Sequence, residues 1–363
     1  MPGRRAVLSG LLASALVPAA VWADAGAPAY LSAARRPDGT YALCGLDAGG
    51  SIVFEIALPG RGHAAAAHPT RPLAVVFARR PGRFALVIDC ATGRVAARLA
   101  APEGRHFYGH GAFSGDGATL FTTENDFDGA RGLLGIWDAE GFARLGEVPS
   151  GGVGPHDIAC LPDGATLVVA NGGIETHPDT GRAKLNLATM RPNLSFLDLG
   201  GRILERVEAA PALHRNSIRH LAVDAQGGVV AAMQWQGDMS ARPPLVATCA
   251  RGAGALTPAL EGTAADPLRG YVGSVAVSAD GRTVAATSPR GGVCAVGAPG
   301  GPWRTIRLAD VGGVAAAPEG FVVTTGTGRI ACIDGVRILW SREHPRQWDN
   351  HIVAVPPPAG AVG

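Results

Sequence analysis

Gly111-Ala-Phe-Ser-Gly-Asp-Gly117 is a short apolar strand that runs into a glycine turn, and a second strand, 119–123, leaves that turn at once. The device returns as Ile158-Ala-Cys-Leu-Pro-Asp-Gly164, Val275-Ala-Val-Ser-Ala-Asp-Gly281 and Val314-Ala-Ala-Ala-Pro-Glu-Gly320. Leu221-Ala-Val-Asp-Ala-Gln-Gly227 and Ala64-Ala-Ala-Ala-His-Pro-Thr70 are weaker copies. The spacing is roughly 40 to 60 residues, the period of a repeat architecture. Each copy is followed by a second strand, at 73–77, 119–123, 166–170, 229–233, 283–287 and 321–325. A third strand then ends on aspartate in several copies, at Asp89, Asp138, Asp198 and Asp334, and a fourth leads onward.

Six units are complete, and two part-units remain at the ends. Segments 30–34, 41–47 and 52–58 match strands two, three and four, and 351–355 matches strand one. The likeness of Ala33-Ala-Arg-Arg-Pro-Asp-Gly-Thr-Tyr-Ala-Leu to Phe77-Ala-Arg-Arg-Pro-Gly-Arg-Phe-Ala-Leu fixes the phase. A unit shared between the termini is needed only by a closed ring. The sequence therefore predicts an all-β chain: a seven-bladed β-propeller of four-stranded blades, closed by the C-terminal strand joining the N-terminal blade.

Composition agrees. The 363 residues include 52 Gly and 27 Pro, with 47% hydrophobic and 17% charged residues. That excludes a disordered chain and a helix bundle, and suits short strands with tight turns. A net charge of +2 without a basic block argues against nucleic acid. Lys184 is the sole lysine. Cys44, Cys90, Cys160, Cys249, Cys294 and Cys332 form no C-x-x-C pair, so they read as buried strand residues, with disulfides possible but not assignable. There is no G-x-S-x-G, H-E-x-x-H, C-x-x-C-H or P-loop.

Residues 1–25 read as an export signal, leaving 26–363 as one propeller domain. Arg4-Arg5 precedes an apolar run too short and too rich in Gly and Ala for a membrane span, and Ala23-Asp-Ala25 offers a cleavage site. The arginine pair resembles a twin-arginine signal, with an ordinary secretory leader as the alternative. The expected location is periplasmic, with no membrane span after signal removal.

Aligning the position just before each first strand gives His63, His110, His156, His220, Ser274, Gly313 and His351. Five of the seven are histidine, half of the chain's ten. First strands line a propeller's channel, so these positions form a ring at its mouth. Converging imidazoles are ligands for copper or iron, with Ser274 and Gly313 leaving an open side. The alternative is a set of bracing or channel-lining polar residues. His156 stands eight residues before its turn glycine where His110 and His220 stand seven, so it faces inward only if a bulge absorbs the extra residue. Loops after second strands share this face. They supply Glu124 and Asn125 as expected partners of a liganding imidazole, with Asn171, Arg219, Ser274 and Asn350 as further candidates. The long connection 171–193 carries His177, Asp179, Arg182 and Lys184. His68, His106, His214 and His344 fall outside the slots and read as surface or turn residues.

The blocks Phe107-Tyr-Gly-His-Gly-Ala-Phe-Ser114, Thr123-Glu-Asn-Asp126, Gly154-Pro-His156, Val169-Ala-Asn-Gly-Gly173, Ser217-Ile-Arg-His220, Ser288-Pro-Arg-Gly-Gly292 and Asp349-Asn-His351 resemble the bacterial "domain of unknown function 1513" family over nearly all of the mature chain. The resemblance implies an exported protein with a YVTN/WD-like propeller. The family's genes often lie beside imelysin-like and di-haem proteins, which implies partners in iron uptake and assigns no reaction. A looser similarity is to nitrous oxide reductase, whose propeller holds copper in a histidine ring; this chain has two fewer ring histidines and no cupredoxin-like domain. The leading expectation is a periplasmic copper- or iron-binding propeller, as a binding or redox component of iron acquisition. A non-catalytic scaffold for protein–protein interaction is the second reading, and a lactonase-like hydrolase, which usually coordinates metal through carboxylates and Asn, the third.

Overall fold

The strand pairs expected from the repeat form in a computed structural model of the chain, which describes residues 20–79, 83–181 and 183–356. Seven antiparallel four-stranded sheets follow one another round an axis. The first strands of the blades are Gly62–Ala67, Arg105–Phe113, Pro155–Cys160, Asn216–Val223, Ser274–Val277, Val311–Ala317 and Gln347–Ala354. Each touches the first strand of the next blade, so together they line the channel. The last of them pairs with Tyr30–Arg35, ahead of Tyr41–Leu46 and Ile52–Leu58. Leu31 stands opposite Val353 and Ser32 opposite Ile352, and the Ser32 hydroxyl donates to the His351 carbonyl at 2.9 Å. The shared seventh blade closes the ring as expected, and closure removes two exposed sheet edges.

Turn chemistry explains the repeat. In the turn after Phe113, Asp116 accepts from the Ser114 hydroxyl at 2.6 Å and from the Ala118 amide at 2.9 Å. Asp280 does the same for Ser278 and Arg282. Gly117 follows at φ 74° and Gly281 at φ 73°, a conformation that disfavours any side chain. Asp89, Asp138 and Asp198, which end third strands, cap the next turn: Asp89 accepts from the amides of Ala91 and Thr92 at 3.0 and 3.1 Å.

Burial follows strand position. Second and third strands lie between neighbouring blades and are continuously buried, as in Thr166–Asn171. Fourth strands face solvent on one side and alternate, as in Arg144–Pro149. Seven apolar clusters result, one at each contact between adjacent blades. Phe77, Phe121, Phe196 and Phe321 are fully buried in four of them. Each contributes about 1.5–3 kcal/mol by leaving water.

Residues 1–19 of the expected leader lie outside the described residues. Its last four, Trp22–Ala25, form a 3₁₀ turn packed on the propeller. The buried Trp22 indole joins the cluster between the closing blade and the first blade, and its N–H donates to the His68 carbonyl at 2.9 Å. No helix among the described residues is long and apolar enough to cross a membrane. All six cysteines are free, and burial pushes the Cys44, Cys90 and Cys294 thiols up to about 12.

Candidate metal centre

Backbone irregularities set the ring. The ladder between first and second strands shifts register at His63, at 108–110, at His156, at Arg219 and at 312–313. The closing strand shifts between Trp348 and Ile352, around His351. The blade carrying Ser274 pairs without a shift. A bulge twists its strand and re-aims a side chain, so the histidines point at the axis, His220 from beside its bulge, where it still pairs with Ala232. His156 sits in such a bulge and joins the ring, its imidazole centroid 5.1 Å from that of His110 and 4.7 Å from that of His220. His351 lies 4.6 Å from His63, 4.9 Å from His110 and 4.8 Å from His220.

Space is made for the rings by glycine. Gly109 has φ 108°, and a Cβ there would stand 2.6 Å from Cδ2 of His63. Gly313 fills the ring position of its blade because a Cβ would meet the Thr324 hydroxyl at 2.6 Å and the Ile352 amide nitrogen at 2.8 Å. Ser274 is buried and faces the channel below the ring.

Two carboxylates that the sequence reading missed hold two of the imidazoles. His110 Nδ1 stands 3.0 Å from Asp157 Oδ1, and the other Asp157 oxygen accepts from the Leu221 amide at 3.0 Å. His63 Nδ1 stands 3.6 Å from Asp349 Oδ1. Asp349 also accepts from Arg61 Nε at 2.5 Å and Arg79 Nη1 at 3.1 Å. Burial pushes the Asp349 carboxyl up, but His63, Arg79 and Arg61 outweigh it and hold it down at about 2. Burial likewise opposes ionisation of Asp157, and the adjacent His110 still holds it below the usual carboxylate range.

Burial lowers His63, His156, His220 and His351. His63 falls to about 4 despite its hydrogen bond with Asp349. His156, His220 and His351 fall well below the ordinary value, through burial first and then through neighbouring imidazoles and Arg219 or Arg79. Neutral imidazoles carry the lone pairs that a metal needs. Four of these nitrogens, His110 Nε2, His156 Nδ1, His220 Nδ1 and His351 Nε2, are buried without a hydrogen-bond partner. Buried polar atoms are nearly always satisfied, so four orphans on one axis call for a ligand. Single nitrogens from His63, His110 and His156 lie within 4.8 Å of one another, as do those from His110, His220 and His351. Trans imidazole nitrogens on one ion stand about 4.2 Å apart, so small rotamer adjustments close either set. His110 has one uncommitted nitrogen, so the two sets draw on the same ligand atom.

The other expected site residues divide. Arg219 and Asn350 line a cavity of about 550 Å³ directly above the ring, together with His63, His156 and His220. Glu124 is fully buried but binds Arg144 by both oxygens, at 2.7 and 2.9 Å, and accepts from the Thr122 hydroxyl at 3.0 Å; it does not touch an imidazole. Asn125 donates to the Thr176 carbonyl at 3.2 Å and so fastens the long connection. Asn171 bonds to Asn193 and Ser195 within its own blade and to Ser150 in the connection from the preceding one. His68 and His106 are buried, a correction to their surface reading. His68 Nδ1 accepts from the amides of Thr70 and Arg71, and its Nε2 reaches the Gly117 carbonyl at 3.1 Å, bracing two blades. His106 stacks on Phe127 and lines the cavity above the ring. Arg80 and Arg182 lie outside the described residues.

The family model described as "Protein of unknown function (DUF1513)" matches residues 56–355, which span all five ring histidines. The chain belongs to the DUF1513 family. No curated protein matches this DUF1513 chain. Among solved structures it is similar to "Kuenenia stuttgartiensis Hydrazine Synthase", with a TM-score of 0.57 and 17% identity over 77% of each chain. That likeness concerns the fold.

Proposed function

We propose that this DUF1513 protein is a periplasmic metal-binding propeller whose histidine ring holds one copper or iron ion. The observation that carries this is the set of four buried, unpartnered imidazole nitrogens converging on the axis. Imidazole suits copper and iron, and the bound ion would supply redox chemistry or an open coordination position. The protein's own groups prepare the ring. Asp157 accepts the Nδ1 proton of His110, which leaves the Nε2 lone pair facing inward. Asp349 lies 3.6 Å from His63 Nδ1, a looser contact that still sets negative charge beside the imidazole, and Arg61 and Arg79 fix Asp349 in turn. Ser274 and Gly313 contribute no imidazole, so one side of the ring stays open to a small ligand. One ion per chain follows from the single free nitrogen of His110. A role beside imelysin-like and di-haem partners in iron acquisition is what the family resemblance suggests.

The test is elemental analysis of protein exported in its native host, beside the His110→Ala/His220→Ala double variant. Near-stoichiometric copper or iron, lost in a variant that elutes and melts as a folded propeller, is the expected result. Metal-free wild-type protein that is folded and exported would overturn the reading and favour the scaffold.

A further inference from the structure

The ring separates two chambers of unlike chemistry. Below it, the channel is lined by small apolar residues such as Ala64, Ala112, Ala222 and Ala315, together with Asp157 and no cation among the described residues. Above it, the 550 Å³ cavity is walled by Arg79, Arg83, Lys184 and Arg219, and no carboxylate lines it among the described residues. These cations come from separate parts of the fold. Arg79 follows the second strand of the first blade, Lys184 sits on the long connection of the third, and Arg219 lies in the bulge beside His220. A further guanidinium, that of Arg290, stacks 4.5 Å from the ring of Tyr271, another wall residue. Arg79 is already engaged with Asp349, and the Lys184 ammonium donates to Gln236. Burial, with Arg219 and Arg290 nearby, pushes the Lys184 ammonium below its usual range. Like charges gathered in a concave, partly dry site repel one another, and an anion relieves that cost.

We propose that this upper chamber binds a small organic polycarboxylate, seated with its charges between Lys184, Arg219 and Arg290 and one end against the histidine ring. The volume lies in the range of small-molecule sites and exceeds what one inorganic anion fills. Several cations gathered from separate blades match an anion with more than one carboxylate. Tyr108 and Tyr271 supply flat walls for the rest of the molecule. Imidazoles bring no negative charge, so an anion above them would also balance a bound cation. Binding to the chamber itself does not depend on the metal.

Calorimetric titration of metal-stripped full-length protein with citrate, inorganic phosphate and glycerol tests this. Metal-free protein keeps the result separate from the metal assignment. Citrate should bind saturably, more tightly than phosphate, and more weakly as salt rises; glycerol should not bind. The Lys184→Gln and Arg290→Gln variants should each lose about tenfold in citrate affinity. Because Lys184 is the only lysine, citrate should also protect its peptide from acetylation by an amine-reactive ester, read by mass spectrometry. Absence of citrate binding, phosphate binding as tightly as citrate, or variants that bind citrate like wild type would each overturn the proposal.

Discussion

Acidification should destabilise the metal-free propeller through its ring histidines. Burial holds His63 at about 4 and His156, His220 and His351 well below the ordinary imidazole value, so all four resist protonation in the folded chain. In the unfolded chain each titrates near about 6.5. Between those values the unfolded state binds protons that the folded state refuses, so stability falls as pH falls. The effect is absent above the unfolded value and grows below it. For His63 at pH 5 the gap is about 1.5 units, at about 1.4 kcal/mol per unit, hence about 2 kcal/mol. His156, His220 and His351 act in the same direction, so the loss between pH 8 and pH 5 is a large part of an ordinary domain's stability. The assay is urea unfolding of metal-stripped protein at both pH values, for wild type and for His63→Gln and His220→Gln. Each variant loses packing at both pH values, so the informative quantity is the difference between them. That difference should shrink by about 2 kcal/mol in His63→Gln and should shrink in His220→Gln as well. A pH difference that stays at the wild-type value in both variants would refute the reasoning.

Three further outcomes follow from individual contacts. Asp157→Asn should lower copper or iron affinity about 10- to 100-fold by competition with a chelator, because His110 loses the acceptor that fixes its tautomer. Gly109→Ala places a methyl where His63 stands and forces a side chain to φ 108°, so it should cost about 1–3 kcal/mol in thermal or urea unfolding and lower metal content as well. Arg144→Met leaves the fully buried Glu124 carboxylate unpaired and should cost about 3–5 kcal/mol in unfolding, with metal content per folded chain unchanged; loss of metal in that variant would tie Glu124 to the ring after all.

The blades were legible in the sequence because their turns have demanding chemistry. A Ser or Pro, an Asp and a positive-φ glycine recur after several first strands, as at Ser114–Gly117 and Ser278–Gly281, and counting from them phases the rest. The ring was legible for the same reason, since its slots keep a fixed distance from the turn. What counting cannot see is a bulge, and so His156 looked one residue out of place until the ladder shift between Pro155 and Asp157 accounted for it. Asp157 and Asp349 were missed although each stands within two residues of a ring histidine. Their partners explain why. Asp157 serves His110 of the preceding blade and Asp349 serves His63 of the following one, so both pairs cross a blade boundary. Glu124 went the other way. It shares strand parity with Thr122, so its side chain lies against the next strand, where Gly135 leaves room and Arg144 awaits it, and not at the strand's inner end.

The five imidazoles belong to five different sheets, and no loop carries two of them. The aperture of the ring is therefore a collective dimension, fixed by how closely seven wedges pack side by side. An apolar residue deep between two blades, such as Phe196 or Phe321, contributes to that dimension as directly as a residue beside the axis. Trimming one wedge would let its neighbours rotate and change every nitrogen-to-nitrogen spacing at once. Ligand geometry in this fold is in that sense tuned from the circumference, and the hydrophobic seams between blades are the adjusting screws.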